Sequence, residues 1–554
     1  MPSDPALTVA VAAPRHSRRD WRWLAWMIVA LAVVSPFVLH GIGHGDFLFN
    51  NDEPSQAVTG IFIADLIRAF PIHHATLYAY AWYAHYPNLG ILIWPPLFHT
   101  VEALFYMALG ISAVTARLAI YGFALFGLVF WFRLVRELAG ERAALAALVL
   151  LALLPRLLLF EQSVMLEVPA LALAVAAIFF WFRYLDSKLP RPLYTFAVLA
   201  ALCLLTKENC IFLAVFCVLT LLVERKLRWI VSAAMLRAIA IVLVIAGPYY
   251  TLSLKVLHHF IGADVVTGQG FTFRSWWTYV YYLHVLVYQA GIPVVVLAVV
   301  GAVTWRRWTK AAAARRMAMW LLAVYLTFLV IPHKESRYVI YWLPAAVFFA
   351  VGPLVSGRWP KRVRTGGVAT LAALLIFTGW EAWRFERPYV SGYKAVAERV
   401  IRSGRGGFVE YDGLLPGDFI FYMRALDPSR SWVVLRKELY VHDWVPAWGS
   451  KQLVHSQADV RTVLARYGVR YVVVDNSPPM YQAQTLLREV VHQPPYRLLA
   501  AYPVSTNVSD IRGETLYLYE NPQAAPPTAK ELVLPMMTIS HSIRIPMNEL
   551  KLGR

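Results

Sequence analysis

The chain has 554 residues, 59% of them hydrophobic and only 15% charged, with 20 tryptophans and a formal net charge of +19. That composition excludes an ordinary soluble globular protein and makes the bilayer the main solvent. The basic residues lie in short clusters between apolar runs and form no stripe, so they read as anchors on anionic membrane lipid, and nucleic acid is not expected as a partner.

Residues 1–22 form a polar N-terminal tail with Arg15, His16, Arg18 and Arg19. The apolar run behind it lacks a small-residue cleavage site, so a cytoplasmic tail and a first span are expected in place of a removed signal peptide. Apolar runs long enough to cross the hydrocarbon core fall near 23–42, 113–135, 142–160, 168–185, 192–206, 209–224, 229–249, 278–303, 317–332, 336–356 and 365–383, which predicts about eleven spans. An inside N-terminus then places Arg133, Arg136 and Arg142, Lys188 and Arg191, Arg225 to Arg228, Arg306 to Arg316, and Arg358 to Arg364 on one side, as the positive-inside rule requires. An odd number of spans puts the C-terminal segment on the other side, together with the loop that carries Asp52 and Glu53.

The first outer loop, 45–112, is only half polar. In it "SQAVTGIFIADLIRAF" reads as an interfacial amphipathic helix, "ILIWPPLFHTVEALFYMALG" as a half-embedded helix starting near Pro96, and "YAYAWYAHYPNLG" as an aromatic belt at headgroup depth. Cys203, Cys210 and Cys217 recur every seven residues in apolar sequence and read as small core residues. Beyond residue 385 the texture changes to short β-rich runs, "FVEYD", "SWVVLR", "VRYVVVD" and "TLYLYE", alternating with helical stretches such as "ADVRTVLARYG". An extramembrane α/β domain is expected over 386–525, with a Pro-rich tail at 526–554. "SGRGG" precedes its strand and so fails the context of a dinucleotide loop. The fold class is thus mostly α and polytopic, a transmembrane domain at 23–385 followed by the α/β domain.

With this topology four polar turns meet on one face. They carry Asp52 with Glu53; Glu161 and Glu167 in "FEQSVMLEVPA"; Lys207 and Glu208 in "TKEN"; and His333, Lys334, Glu335 and Arg337 in "PHKESRY". Each has a plain structural reading. Asp52, Glu53 and Glu167 would cap helices, and the cations would snorkel. Cations at span ends belong mostly on the inside, however, and Lys207, Lys334 and Arg337 sit outside beside carboxylates, which marks a functional pocket. Acids and bases in one place suit a reaction in which a carboxylate takes a hydroxyl proton while cations stabilise a departing phosphate.

The order of "NDEP", "WPPLFHTVEALFYMALG", "ARLAIYGFALFGLVFWFRLVRELAGERAALAALVLLALLP", "MLEVPALAL" and "LLTKEN" resembles the polytopic GT-C glycosyltransferases that use polyprenyl-phosphate sugars, namely the protein O-mannosyltransferases and lipid A aminoarabinose transferases. "HKESRY" resembles a motif of related lipid-linked mannosyltransferases. The resemblance implies Asp52 as the general base with Glu53 beside it, Glu167 in place of the family's usual aspartate, and Lys207 facing the donor phosphate. His333, Lys334 and Arg337 would complete a cationic cradle, with Glu208 and Glu335 in support. It further implies an inverting transfer from a polyprenyl-phosphate sugar to a protein, lipid or glycan acceptor, among membrane lipids. Some relatives use a divalent metal, and oxygen ligands from Asp52 and Glu167 would suit magnesium or manganese. The Arg- and Ala-rich composition points to a bacterial inner membrane, with the site and the C-terminal domain on the periplasmic side. The alternative, a transporter or flippase of a charged lipid, would want repeated halves and helices broken near the midplane, and no internal repeat is seen.

Overall fold

The computed structural model describes residues 20–48, 52–257, 272–404, 406–442, 450–536, 539 and 541–550. Most of the expected N-terminal tail, residues 1–19, lies outside the described residues, as do Asn50 and Asn51 ahead of Asp52 and Arg405 of "SGRGG".

In chain order the helices of the first part are α1 (Asp20–His40), α2 (Asp52–Ala69), α3 (Ala75–His85), α4 (Leu97–Leu109), α5 (Ala113–Ala139), α6 (Glu141–Ala152), α7 (Pro155–Glu161), α8 (Glu167–Ser187), α9 (Pro190–Leu204), α10 (Phe212–Val223), α11 (Ala233–Val256), α12 (Trp276–Ala290), α13 (Ile292–Val303), α14 (Ala311–Leu329), α15 (Leu343–Val355) and α16 (Lys361–Arg384). Among the described residues seven are long and apolar enough to cross a bilayer: α1, α5, α8, α11, α14, α15 with the 3-10 turn ahead of it, and α16. The bent pairs α6–α7 and α12–α13, broken by 69° and 111°, raise the number to nine. The other two expected spans, near 192–206 and 209–224, are occupied by the shorter apolar helices α9 and α10. At ~1.5 Å per residue α9 rises about 22 Å, less than the ~30 Å hydrocarbon core.

Both bends have a local cause. Pro155 opens α7 and has no amide to continue α6. Gly291, at φ +82°, ends α12 in a conformation side chains avoid, and Pro293 follows it in the first turn of α13. Helix α8 is almost wholly enclosed, whereas α11 and α16 turn most of their surface outward, with Leu243, Val244 and Ile376 as bare apolar side chains suited to lipid. Helices α5 and α8 touch through small residues: a β-carbon on Gly127 would meet Ala172 Cα at 2.9 Å.

The first outer loop differs from its expected interfacial character. Helix α2 is buried along most of its length, polar Ser55, Gln56 and Thr59 included, and Trp82 and Tyr86 of the expected aromatic belt are buried too. The cause is the C-terminal region, which lies on this loop: Arg424 holds Asp65 through Nε–Oδ2 at 2.8 Å and Nη2–Oδ1 at 2.6 Å, and Trp82 Nε1 donates to Asp65 Oδ2 at 2.9 Å. Helix α4, after Pro96, does keep bare apolar side chains in Leu104 and Leu109.

The C-terminal region contains β1 (Val390–Ser391), α17 (Tyr393–Arg402), β2 (Gly407–Asp412), α18 (Pro416–Leu426), β3 (Trp432–Leu435), β4 (Tyr440–His442), β5 (Ser450–Gln452), α19 (Gln457–Arg466), β6 (Tyr471–Asp475), α20 (Gln482–Val491), β7 (Arg497–Pro503), β8 (Ser505–Thr506), β9 (Thr515–Glu520), β10 (Glu531–Leu534) and β11 (Ile543–Pro546). Five strands form a sheet in the order β3-β2-β6-β9-β7, the first three parallel and the last two antiparallel to their neighbours. Its faces alternate residue by residue. Val409, Tyr411, Val434 and Val473 join the core of the membrane helices, while Phe408, Val433, Val472 and Val474 join a second core with Leu464 of α19 and Leu487 of α20. The segment expected as a tail is partly built into this second core: β10 and β11 pair antiparallel and bury Leu532, Leu534, Ile543 and Ile545.

Candidate active site

Four of the residues singled out from the sequence meet where separate elements begin. Asp52 is the first residue of α2 and Glu167 the first of α8, while Lys207 precedes the 3-10 turn Glu208–Ile211 and Arg337 lies in the turn Ser336–Trp342 ahead of α15. Arg337 is the hub. Its Nη1 donates to Asp52 Oδ2 at 2.8 Å, its Nε stands 3.8 Å from Glu167 Oε1 and 2.5 Å from Glu335 Oε2 as ion pairs, and its Nη2 donates to Glu335 Oε1 at 3.1 Å. Lys207 Nζ donates to the buried Glu167 Oε1 at 2.6 Å, and His333 Nε2 lies 2.9 Å from Glu335 Oε1. Three acidic and two basic side chains therefore share one network across 285 residues of chain between Asp52 and Arg337.

The network is uneven. Asp52 keeps 26% of its side chain exposed, yet burial pushes its carboxyl above the ordinary aspartate value, against the pull of Arg337 and Lys207. At Glu335 burial acts in the same upward direction but His333 and Arg337 outweigh it, and the carboxyl is held down to about 2. One acid is thus poised to accept a proton and another is locked as an anion.

Glu53, the neighbour of Asp52, faces the other way. Its side chain is fully buried, its Oε2 accepts from the Leu48 amide at 3.0 Å and its Oε1 from the Val164 amide at 2.9 Å, and Arg117 Nε and Arg387 Nη1 stand 3.9 and 3.6 Å from Oε1. The same two arginines bind the loop that leads to Asp52: Arg117 donates to the carbonyls of Ile42, at 2.9 Å, and of Asp46, at 2.9 Å, and Arg387 to that of His44, at 2.6 Å. From the C-terminal region Asp418 Oδ1 accepts from the Phe47 amide at 2.9 Å and Tyr422 hydrogen-bonds Asp46. Burial, helped by Arg117, lowers Arg387 to about 10. Glu53 is a strut that fixes the approach to Asp52. Arg117 and Arg387 escaped sequence reasoning, although an arginine five residues into an apolar span was a signal in itself.

Two further expectations are placed elsewhere. Lys334 turns away from the hub: its Nζ donates to the carbonyls of Phe328 and Leu329 at 2.7 and 2.8 Å, capping the end of α14, and lies over the Tyr282 ring at 5.1 Å. Burial brings its ammonium down to about 8. Glu208 is exposed and takes no part in the network. Of the expected metal pair, Asp52 Oδ2 accepts from Arg337 and Glu167 Oε1 from Lys207, while Glu167 Oε2 is buried without a hydrogen-bond partner; among the described residues no group of three His, Cys, Asp or Glu side chains stands together.

Three comparisons bear on this geometry. A family model of dolichyl-phosphate-mannose-protein mannosyltransferases matches residues 94–251, which include Glu167 and Lys207. Among solved structures, ArnT from Cupriavidus metallidurans in the apo state is 15% identical, over 88% of this chain and 99% of that one, with a TM-score of 0.62. ArnT bound to undecaprenyl phosphate is 14% identical over the same shares, with a TM-score of 0.60. Arabinofuranosyltransferase AftD from Mycobacteria is 15% identical over 92% of this chain and 40% of that one, with a TM-score of 0.48. A comparison with curated proteins finds no match by sequence. At such identities the likeness to ArnT is one of fold alone, over nearly the whole of both chains.

Proposed function

We propose that this chain is an inverting glycosyltransferase that moves a sugar from a polyprenyl-phosphate donor to a hydroxyl acceptor on the outer face of a membrane, in a bacterium the periplasmic face of the inner membrane. The observation that carries the reading is the Arg337 guanidinium, which holds Asp52, Glu167 and Glu335 together beside Lys207. The mannosyltransferase family model across 94–251 and the fold shared with ArnT bound to undecaprenyl phosphate support it.

The chemistry follows from the charges. A donor phosphate entering the network competes with three carboxylates for Arg337, and a guanidinium offers it paired donors in a plane. As Arg337 turns to the phosphate, Asp52 loses its partner and becomes free to take the acceptor's hydroxyl proton. The acceptor oxygen then attacks the anomeric carbon, the bond from that carbon to the phosphate oxygen breaks, and the electron pair leaves on the phosphate. Arg337 and Lys207 stabilise the charge that develops there, and Glu167 holds Lys207 in place. Glu335 and His333 keep Arg337 within reach of the site. No nucleotide is consumed, because the phosphate ester supplies the driving energy.

A transporter or flippase has the bent pairs α6–α7 and α12–α13 in its favour. Its charged groups would belong at those breaks, whereas here they gather at helix starts. The experiment that separates the readings is transfer of radiolabelled sugar from a panel of polyprenyl-phosphate donors to a membrane extract, with wild type and Asp52→Asn compared at equal folded amount. Transfer by wild type that the variant loses supports the enzyme. Absence of transfer from every donor, or equal transfer by both proteins, overturns it.

A further inference from the structure

At the other end of the helices that carry the candidate site lies a cavity of about 600 Å³, lined by Trp21 and Trp23 of α1, Arg133, Arg136 and Glu137 of α5, and Arg183 of α8. Helix direction fixes its depth. On α5, Arg117 grips the loop before Asp52, and at ~1.5 Å per residue Arg136 lies about 28 Å further along. On α8, Glu167 belongs to the Arg337 network, and Arg183 lies about 24 Å further along. Both lengths approach the ~30 Å of the hydrocarbon core, so the cavity sits at the headgroup level of the opposite leaflet. Trp21, largely exposed, and Trp23 suit that level.

The charges in the cavity do not balance. Glu137 is its one carboxylate, and Arg183 takes it through Nη2–Oε1 at 2.7 Å and Nε–Oε1 at 3.3 Å. Arg133 and Arg136 form no ion pair with a carboxylate among the described residues. They rest on aromatic rings instead, Arg133 at 4.9 Å from Phe179 and 5.4 Å from Phe130, and Arg136 at 4.4 Å from Trp23. Ring stacking holds a guanidinium flat and leaves its edge N–H groups for another acceptor. A cavity of this volume is ample for a small polar group.

We infer that this cavity binds the phosphate headgroup of one anionic lipid from the leaflet opposite the candidate active site, with Arg133 and Arg136 as the phosphate contacts and Trp21 and Trp23 at the glycerol level. Basic pockets between membrane helices take such headgroups by charge and by the fork geometry of arginine. The inference does not rest on the proposed transferase activity.

The test is native mass spectrometry of the full-length protein released from nanodiscs of mixed phosphatidylglycerol and phosphatidylcholine. Wild type is expected to retain one phosphatidylglycerol through stepwise delipidation. Arg133→Gln with Arg136→Gln is expected to retain it about tenfold less, while Arg362→Gln, on an exposed stretch outside the cavity, retains it as wild type does. Glu137→Gln, which removes the competing anion at an exposed position, is expected to strengthen retention, and it keeps the test decisive should the double variant fail to fold. Inorganic phosphate titrated against wild type separates the two sources of the same chemistry: a lipid site keeps its phosphatidylglycerol against millimolar phosphate, and displacement assigns the cavity to the free ion and overturns the inference. Equal retention of both lipids by wild type, loss of retention in Arg362→Gln, or no change in Glu137→Gln and in the double variant, overturns it as well.

Discussion

Asp52 and Glu53 are neighbours in the chain, but their side chains belong to two regions built on different principles. The region around Arg337 is partly open: Asp52 and Glu335 keep 26% and 33% of their side chains exposed while sharing one guanidinium. The region around Glu53 is sealed: the carboxylate takes two backbone amides, and two arginines bind the surrounding carbonyls as well as facing the acid. A buried charge with no alternative partner specifies geometry, whereas a partly exposed charge with a replaceable partner is available for chemistry.

Four measurements break or sharpen that comparison. The largest effect is expected for Asp52→Asn, a loss of sugar transfer of about a hundredfold to ten-thousandfold, as for removal of a general base, with a melting temperature that does not fall. A variant that loses stability instead would place Asp52 with the struts. Next, Glu53→Ala leaves Arg117 and Arg387 facing an emptied pocket and is expected to cost about 3–5 kcal/mol, read as lost folded protein in denaturation in detergent. Full stability in that variant would erase the distinction between the two regions.

The third effect is on pH. Because the folded-state value of Asp52 is raised, its ionisation opposes folding. The stability it contributes is present below the ordinary aspartate value and is lost as pH rises through the raised one. Transfer runs the opposite way, falling as pH drops through that same raised value, with a midpoint above the ~4 of a free aspartate. In a pH series of kcat/KM the Asn variant is expected to lack this inflection, and an inflection that survives in it would assign the base elsewhere. The smallest effect is expected for Lys334→Gln. It removes a helix cap worth about 0.5–1 kcal/mol and leaves transfer within about threefold, so a large loss in KM for the donor would return Lys334 to the cradle.

Much of this was legible in the sequence, for reasons that differ by part. The membrane helices announce themselves because hydrocarbon demands long apolar runs, β3 and β6 because strands buried on both faces read as near-continuous apolar runs, and β2 and β9 because "FVEYD" and "TLYLYE" are rich in aromatic residues. Strand β7 stayed hidden because it is an exposed sheet edge made of "RLLAAYP", without β-branched residues. The pair β10–β11 stayed hidden because each strand is four residues long and lies in Pro-rich sequence. In the candidate site, the convergence of Asp52, Glu167, Lys207 and Arg337 followed from sidedness alone, since loops on one face of a bundle meet. What sidedness does not carry is direction: whether Lys334 points to the hub or back onto its own helix, or whether Glu53 turns toward the site or inward, depends on carbonyls and amides that sequence does not label.

The clasp between the first outer loop and the C-terminal region also sets a schedule. Asp65 meets Arg424 across 359 residues, and Phe47 meets Asp418 across 371. At the usual ~5–20 residues per second of synthesis, the ribosome needs about 20 to 75 seconds to supply the partners after the loop has emerged. During that interval Asp65 lacks its arginine, and Glu53 lacks Arg387. Helix α2 therefore takes up its final burial only after nearly four-fifths of the chain exists, and Asp52 at its tip is one of the last parts of the molecule to become fixed, although it is among the first to be made.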